Sequence, residues 1–71
     1  MYRADVLVKI GRRIKTIRLA KNMTQNDLAI ECEFEKASLS RIEAGKTNIT
    51  IRTLYKISTA LEIPIADFFA D

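Results

Sequence analysis

The sequence predicts a compact all-α domain of five short helices, and three observations carry that prediction. Large apolar residues recur at three- and four-residue spacing along most of the chain, the period of a helix that buries one face. Residues suited to opening and closing helices stand between those runs. Breakers are rare: two glycines and one proline in 71 residues, with 48% hydrophobic side chains, describe a folded chain rather than a disordered one. Residues 1–71 form one small domain, close to the lower limit at which a single core suffices.

The first helix runs from about Ala4 to Lys21 on a stripe of Val6, Leu7, Ile10, Ile14 and Ile17, with Arg12, Arg13 and Lys15 mainly elsewhere on the wheel. Asn22 suits the left-handed residue that ends a helix. Thr24 caps the second helix, Asp27 at its third position helps neutralise the free amides, and Met23 can staple onto Leu28. This helix is short and ends near Cys32. After the break "CEFE", Glu35 caps a third helix over Lys36 to Ala44, which Gly45 stops. "KTNIT" is a loop. Thr50 then caps the fourth helix, with Ile49 and Leu54 as its staple and Ile51, Leu54, Ile57 and Leu61 as its stripe. Pro64 stops that helix and can open a last short one, "IADFFA". There is no internal repeat and no low-complexity segment.

A net charge of +3 is spread unevenly. Residues 1–21 carry seven basic side chains (Arg3, Lys9, Arg12, Arg13, Lys15, Arg18, Lys21) against Asp5 alone, a net of +6, and the rest of the chain carries −3. Such a segment favours a polyanion, either nucleic acid or an acidic membrane surface. The membrane reading would require the first helix to act alone, yet its apolar stripe is needed for the core. No apolar run is long enough to span a bilayer, and no signal-peptide pattern opens the chain. The chain has no histidine, no metal-ligand cluster and no glycine-rich phosphate loop, so neither an enzyme nor a cofactor is expected. The single cysteine, Cys32, cannot form an internal disulfide, which fits a reducing cytoplasm. On the inward side of the second helix it reads as a small core residue, not a nucleophile.

The second and third helices are joined by three or four residues, the spacing of a helix-turn-helix over about residues 24–45. The third helix is bare on one side. Leu39 and Ile42 are its large apolar residues, whereas Ala37, Ser40, Arg41 and Ala44 make an outer face that is small, polar or cationic. Glu43 lies only about 40° from the inward stripe at about 100° per residue. A carboxylate there is costly to bury without a cation, and Arg18, flanking the stripe of the first helix, is the expected structural partner.

The stretch "TQNDLA…KASLSRIEAGKTNITIRTLYKISTALEI" resembles the Cro-like (XRE-type) phage-repressor helix-turn-helix family. Thr24, Gln25, Leu28, Ala29, Leu39, Ser40, Ile42, Glu43 and Gly45 fall at that family's spacing, with Arg18 upstream and Leu61 downstream. Within the family, "NITIRTL" and "IPIADFF" are most similar to the small controller proteins of restriction-modification operons. Two residues depart from the pattern. Glu33 stands where the family usually has glycine, and a non-glycine residue in a left-handed conformation costs roughly 1 kcal/mol. Glu35 replaces the usual Ser or Thr cap and adds negative charge near the expected DNA.

The resemblance implies a lambda-repressor-like DNA-binding domain whose third helix enters a major groove about 12 Å wide. The bare face then has a reason, because bulk there would hold the helix off the bases. The family's base-reading positions map onto Lys36, Ala37, Ser40 and Arg41, with Arg41 suited to bidentate contact with guanine. Gln25 matches the family's phosphate-clamping glutamine at a helix start. Lys46, Thr47, Asn48, Thr50 and Arg52 form a second expected phosphate group.

The tail is apolar for so short a segment, and one small core can bury Phe68 but hardly Ile63, Ile65 and Phe69 as well. A homodimer is therefore expected through residues of about 55–71, with Tyr55, Ser58, Ile63, Ile65 and Phe69 in its interface, binding a near-palindromic operator. The resemblance implies a transcriptional regulator, the activator and repressor of a restriction-modification operon. An antitoxin-type or phage-type repressor that also binds a partner protein is the alternative. The turn acids Glu31, Glu33 and Glu35 read as a solvated turn; in the family, acidic residues near the second helix contact RNA polymerase.

Overall fold

In the computed structural model, which describes residues 3–69, four α-helices and a closing 3₁₀ turn enclose one core. They are α1 (Arg3–Ala20), α2 (Gln25–Cys32), α3 (Lys36–Glu43) and α4 (Ile51–Leu61), followed by the 3₁₀ segment Ile65–Phe69. There is no strand among the described residues. The expected fifth helix is thus a 3₁₀ turn. Five residues are too few for an α-helix to repay its nucleation, and Pro64 withholds an amide while its carbonyl accepts the Asp67 N–H at 3.0 Å. Ala70, expected in that helix, and the Arg3 side chain lie outside the described residues.

α1 packs on α3 and on the 3₁₀ turn, while α2 packs on both α3 and α4. Between them Ile10, Ile14, Leu28, Ala29, Cys32, Leu39, Ile42, Leu54, Ile57, Leu61 and Phe68 form the core. Val6, Ile17, Met23, Phe34, Ile49, Ile63 and Ile65 pack around it, half-buried. Ile51, expected in the α4 stripe, is 69% exposed. It shares the Ser58 edge of the wheel but lies two turns earlier, at the open end of α4.

Each helix begins and ends by local chemistry. At α2 the Thr24 hydroxyl accepts the Asp27 N–H at 3.0 Å and the Asp27 carboxylate accepts the Thr24 N–H at 2.9 Å, a reciprocal capping box. At α4 the Thr50 hydroxyl accepts the Thr53 N–H at 3.1 Å. Glu35 holds the cap position of α3 in extended conformation, but its side chain makes no capping hydrogen bond. All four helices close with the same paired hydrogen bonds around a left-handed residue: Asn22, Glu33, Gly45 and Glu62.

Candidate nucleic-acid interface

α3 is held by its inner face and presents its outer one. Leu39, Ile42 and Glu43 are buried, whereas Lys36, Ala37, Ser38, Ser40, Arg41 and Ala44 are all exposed. The four residues expected to read bases therefore lie on one open side, with two alanines between the polar ones. The Lys36 flank of α3 borders a groove shared with Thr24, Gln25 and Asn26 at the start of α2. Arg41 on the other flank lines a second groove with Phe34, Ser38, Ile42, Thr47, Asn48 and Thr53. Each end of the exposed helix thus meets one of the two groups expected to hold phosphates.

These groups differ in how they are supplied. Gln25 is half-buried, and its Nε2 donates to Glu43 Oε1 at 3.0 Å. Lys46, Asn48 and Arg52 are exposed, and Thr47 is half-buried. Thr50 is exposed and caps α4 as expected, its hydroxyl accepting from Thr53 N and donating to Thr53 Oγ1 at 3.0 Å. The first amides of α4 have no carbonyl partner within the helix and open beside it.

Arg18 and Glu43 meet in the interior. Arg18 Nε lies 2.7 Å from Glu43 Oε2 and Nη2 lies 3.1 Å from Oε1, a bidentate pair of the strong kind. The remaining nitrogen, Nη1, donates to the Met23 carbonyl at 2.7 Å. No buried side-chain nitrogen or oxygen among the described residues lacks a partner. Arg18 is thereby withdrawn from any polyanion. Arg13 is partly withdrawn as well, since its Nε donates to the Asp67 carbonyl at 2.9 Å and ties α1 to the 3₁₀ turn. Arg12, Lys15 and Lys21 are exposed.

The residues expected at a dimer surface differ in exposure. Tyr55 is 64% exposed and lines a groove with Glu31, Lys56 and Glu62, on the α2–α4 side. Phe69 is 50% exposed and lines another with Val6, Ile10 and Phe68, against α1. Ile63 and Ile65 are half-buried on the core. Ser58 faces the interior, 3% exposed, with its hydroxyl donating to the Tyr55 carbonyl at 2.8 Å. A small hydroxyl bonded to the helix backbone fits the α4 packing edge, so Ser58 offers no side chain to a partner.

Ser38 and Thr53 are polar groups of the Arg41 groove that sequence reasoning passed over. Ser38 was within reach of it, because three residues before Arg41 on a helix is the same side. Thr53 was not, since only the packing of α4 beside the loop brings it there. Glu31, Glu33 and Glu35 are exposed around the α2–α3 turn, and Cys32 is buried, with burial pushing its thiol above the ordinary range.

A family model described as "Helix-turn-helix" (HTH_3) matches residues 14–68. The control protein C.BamHI of Bacillus amyloliquefaciens is 36% identical over 64 residues, covering 89% of this chain and 79% of the relative. The crystal structure of the restriction-modification controller protein C.AhdI from Aeromonas hydrophila superposes with a TM-score of 0.86 at 32% identity, over 89% of this chain and 96% of that one. The controller protein C.Esp1396I, solved as a tetramer in complex with its natural 35 base-pair operator, aligns with a TM-score of 0.82 at 41% identity, over 90% of this chain and 84% of that one.

Proposed function

The chain belongs to the HTH_3 (XRE-type) helix-turn-helix family as a DNA-binding transcriptional regulator of the restriction-modification controller type, and we propose that it binds a near-palindromic operator as a homodimer and thereby controls such an operon. The observation that carries this reading is the outer face of α3, open and stripped of bulk, with a phosphate-suited groove on either flank. Arg41 and Ser40 read base edges, Lys36 works at the near end of the helix, and Ala37 permits close approach. Gln25 on one side and Lys46, Thr47, Asn48, Arg52 and the first amides of α4 on the other hold the backbone and set the register.

Size argues for two copies. The molecule is 32 Å in its longest dimension and carries one reading helix, whereas successive major grooves on one face of DNA are about 34 Å apart. A two-fold pair spans that distance, and the half-exposed Phe69 supplies an apolar contact for it. The regulator acts in the cytoplasm with DNA as its ligand and is not an enzyme. RNA polymerase is a further partner if it touches the exposed acids beside α2, and loss of activation with intact DNA affinity in Glu33→Gln is the sign of that contact.

The test of the main reading is footprinting and titration on the DNA upstream of the chain's own gene, against a shuffled duplex. The wild-type protein should protect one two-fold-symmetric site, and its affinity should fall steeply with salt. Ser40→Ala/Arg41→Ala should remain folded and lose most of the preference for the site. An undiminished preference in that variant overturns the reading.

A further inference from the structure

We propose that Glu43, beyond pairing with Arg18, is a positioning residue for DNA binding: its carboxylate fixes the carboxamide of Gln25 and so couples the phosphate anchor on α2 to the reading helix α3. This rests on the DNA-binding role above and adds a part to it. One buried carboxylate serves two donors from two elements. Its Oε2 takes Arg18 Nε at 2.7 Å, and its Oε1 takes both Arg18 Nη2 at 3.1 Å and Gln25 Nε2 at 3.0 Å. Arg18 reaches the Met23 carbonyl with its third nitrogen, so the corner leading into α2 is held by the same group.

A carboxamide nitrogen carries two hydrogens. With one engaged by Glu43, the amide plane is fixed and the second hydrogen is left to donate in the groove that Gln25 shares with Lys36. A free glutamine side chain gives up substantial rotamer freedom on binding. Here that ordering precedes DNA, and Glu43, the last residue of α3, ties the anchor to the helix that reads bases.

Four variants test this. Gln25→Ala removes the amide. Arg18→Met/Glu43→Leu removes the carboxylate while avoiding a lone buried charge, a replacement that folded proteins tolerate. Their combination closes the cycle, and Arg18→Met/Glu43→Gln keeps a neutral acceptor for Gln25 without stranding the Arg18 charge. Thermal melts establish that each is folded at the assay temperature. Affinities are then measured on the upstream duplex and on the shuffled one over a range of salt.

Gln25→Ala and the apolar pair should each lose roughly tenfold in affinity, the combination should lose no more than either, and Arg18→Met/Glu43→Gln should recover affinity relative to the apolar pair. The loss should be equal on both duplexes, because phosphate contacts carry no sequence information. It should also leave the salt slope unchanged, because a neutral amide releases no counterion. A merely structural role for Glu43 would instead displace α3 and erase the preference for the upstream site. Losses that add, or an apolar pair that binds like wild type, overturn the proposal.

The side-chain amide of Gln25, the only glutamine in the chain, gives a reading without DNA. Its hydrogens should exchange more slowly than those of exposed Asn48 in the wild type and speed up in the apolar pair. Equal exchange in the two proteins overturns the proposal by itself. A wild-type chain that shows this protection yet binds neither duplex overturns the DNA-binding role instead.

Discussion

Gly11 stands in the middle of α1, where glycine is worse than alanine by roughly 0.5–1 kcal/mol. The tertiary structure gives the reason. A Cβ there would lie 2.5 Å from the Ile42 carbonyl oxygen and 2.6 Å from that of Glu43, both backbone atoms with little room to yield. Gly11→Ala should therefore lose about 2 kcal/mol or more despite its better helix propensity, and a thermal melt should show a fall of about 10 °C or more. Asp27 offers a test by pH. The hydrogen bond from the Thr24 amide, and after it the Thr24 hydroxyl, hold its carboxyl below the ordinary value of 3.8. The charged form is thus favoured on folding, so its contribution is complete above pH 3.8 and is lost as pH falls through the lowered value. In urea melts across that range, the stability gap between the wild type and Asp27→Asn should narrow on acidification and close at the acid end.

Among the elements, caps are easier to read than stops. Thr24 and Thr50 announce themselves by residue type and by the apolar residue just before each, Met23 and Ile49, and both hydroxyls accept the amide three residues on. Thr50→Ala should cost about 1 kcal/mol, seen as a drop of about 4–8 °C in Tm, with most of the effect at α4. Helix stops are less legible. Asn22 and Gly45 are residues that favour the left-handed conformation, but Glu33 and Glu62 adopt it at φ 59° in the same paired-bond geometry. Nothing local in Glu62 marks it. The half-buried Ile63 anchors the chain just beyond it and Pro64 follows, so packing after the helix imposes the turn. Replacing Glu62 with glycine relieves the side-chain strain at the expense of a looser unfolded chain, for a net gain of about 0.5–1 kcal/mol. The melt of Glu62→Gly should rise accordingly.

For the whole molecule, association is the property to test. Phe68 is completely buried while its neighbour Phe69 is half exposed beside α1, so the two aromatics of the tail divide between core and surface. Phe69→Lys leaves the core intact. The wild type is expected to sediment as a dimer and Phe69→Lys as a monomer at the same concentration, with the melting of a diluted sample little changed. A variant that stays dimeric removes Phe69 from the interface and leaves the Tyr55 groove as the remaining surface. The basic excess of residues 1–21 also looks different in three dimensions. Arg18 is consumed by Glu43 and Met23, and Arg13 is partly held by the Asp67 backbone carbonyl, so fewer cations are free to face outward than the sequence count implies.

By itself the sequence determined what depends on period and on local chemistry: the all-helical architecture, the four α-helices to within a residue or two at most ends, the two threonine caps, and the bare outer side of α3. These are legible because a helix repeats every 3.6 residues and a cap acts within three. Even the Arg18–Glu43 pair was within reach, since a carboxylate beside an apolar stripe must find a cation. Only the tertiary structure decided which groups meet across elements. The second partner at Glu43 is Gln25, Gly11 yields to α3, Arg13 fastens the tail, Ser58 turns inward, and Ser38 and Thr53 join Arg41. Hydrogen bonding and close packing act over about 3–4 Å, and no pattern along one helix records which atoms of another will come within that reach.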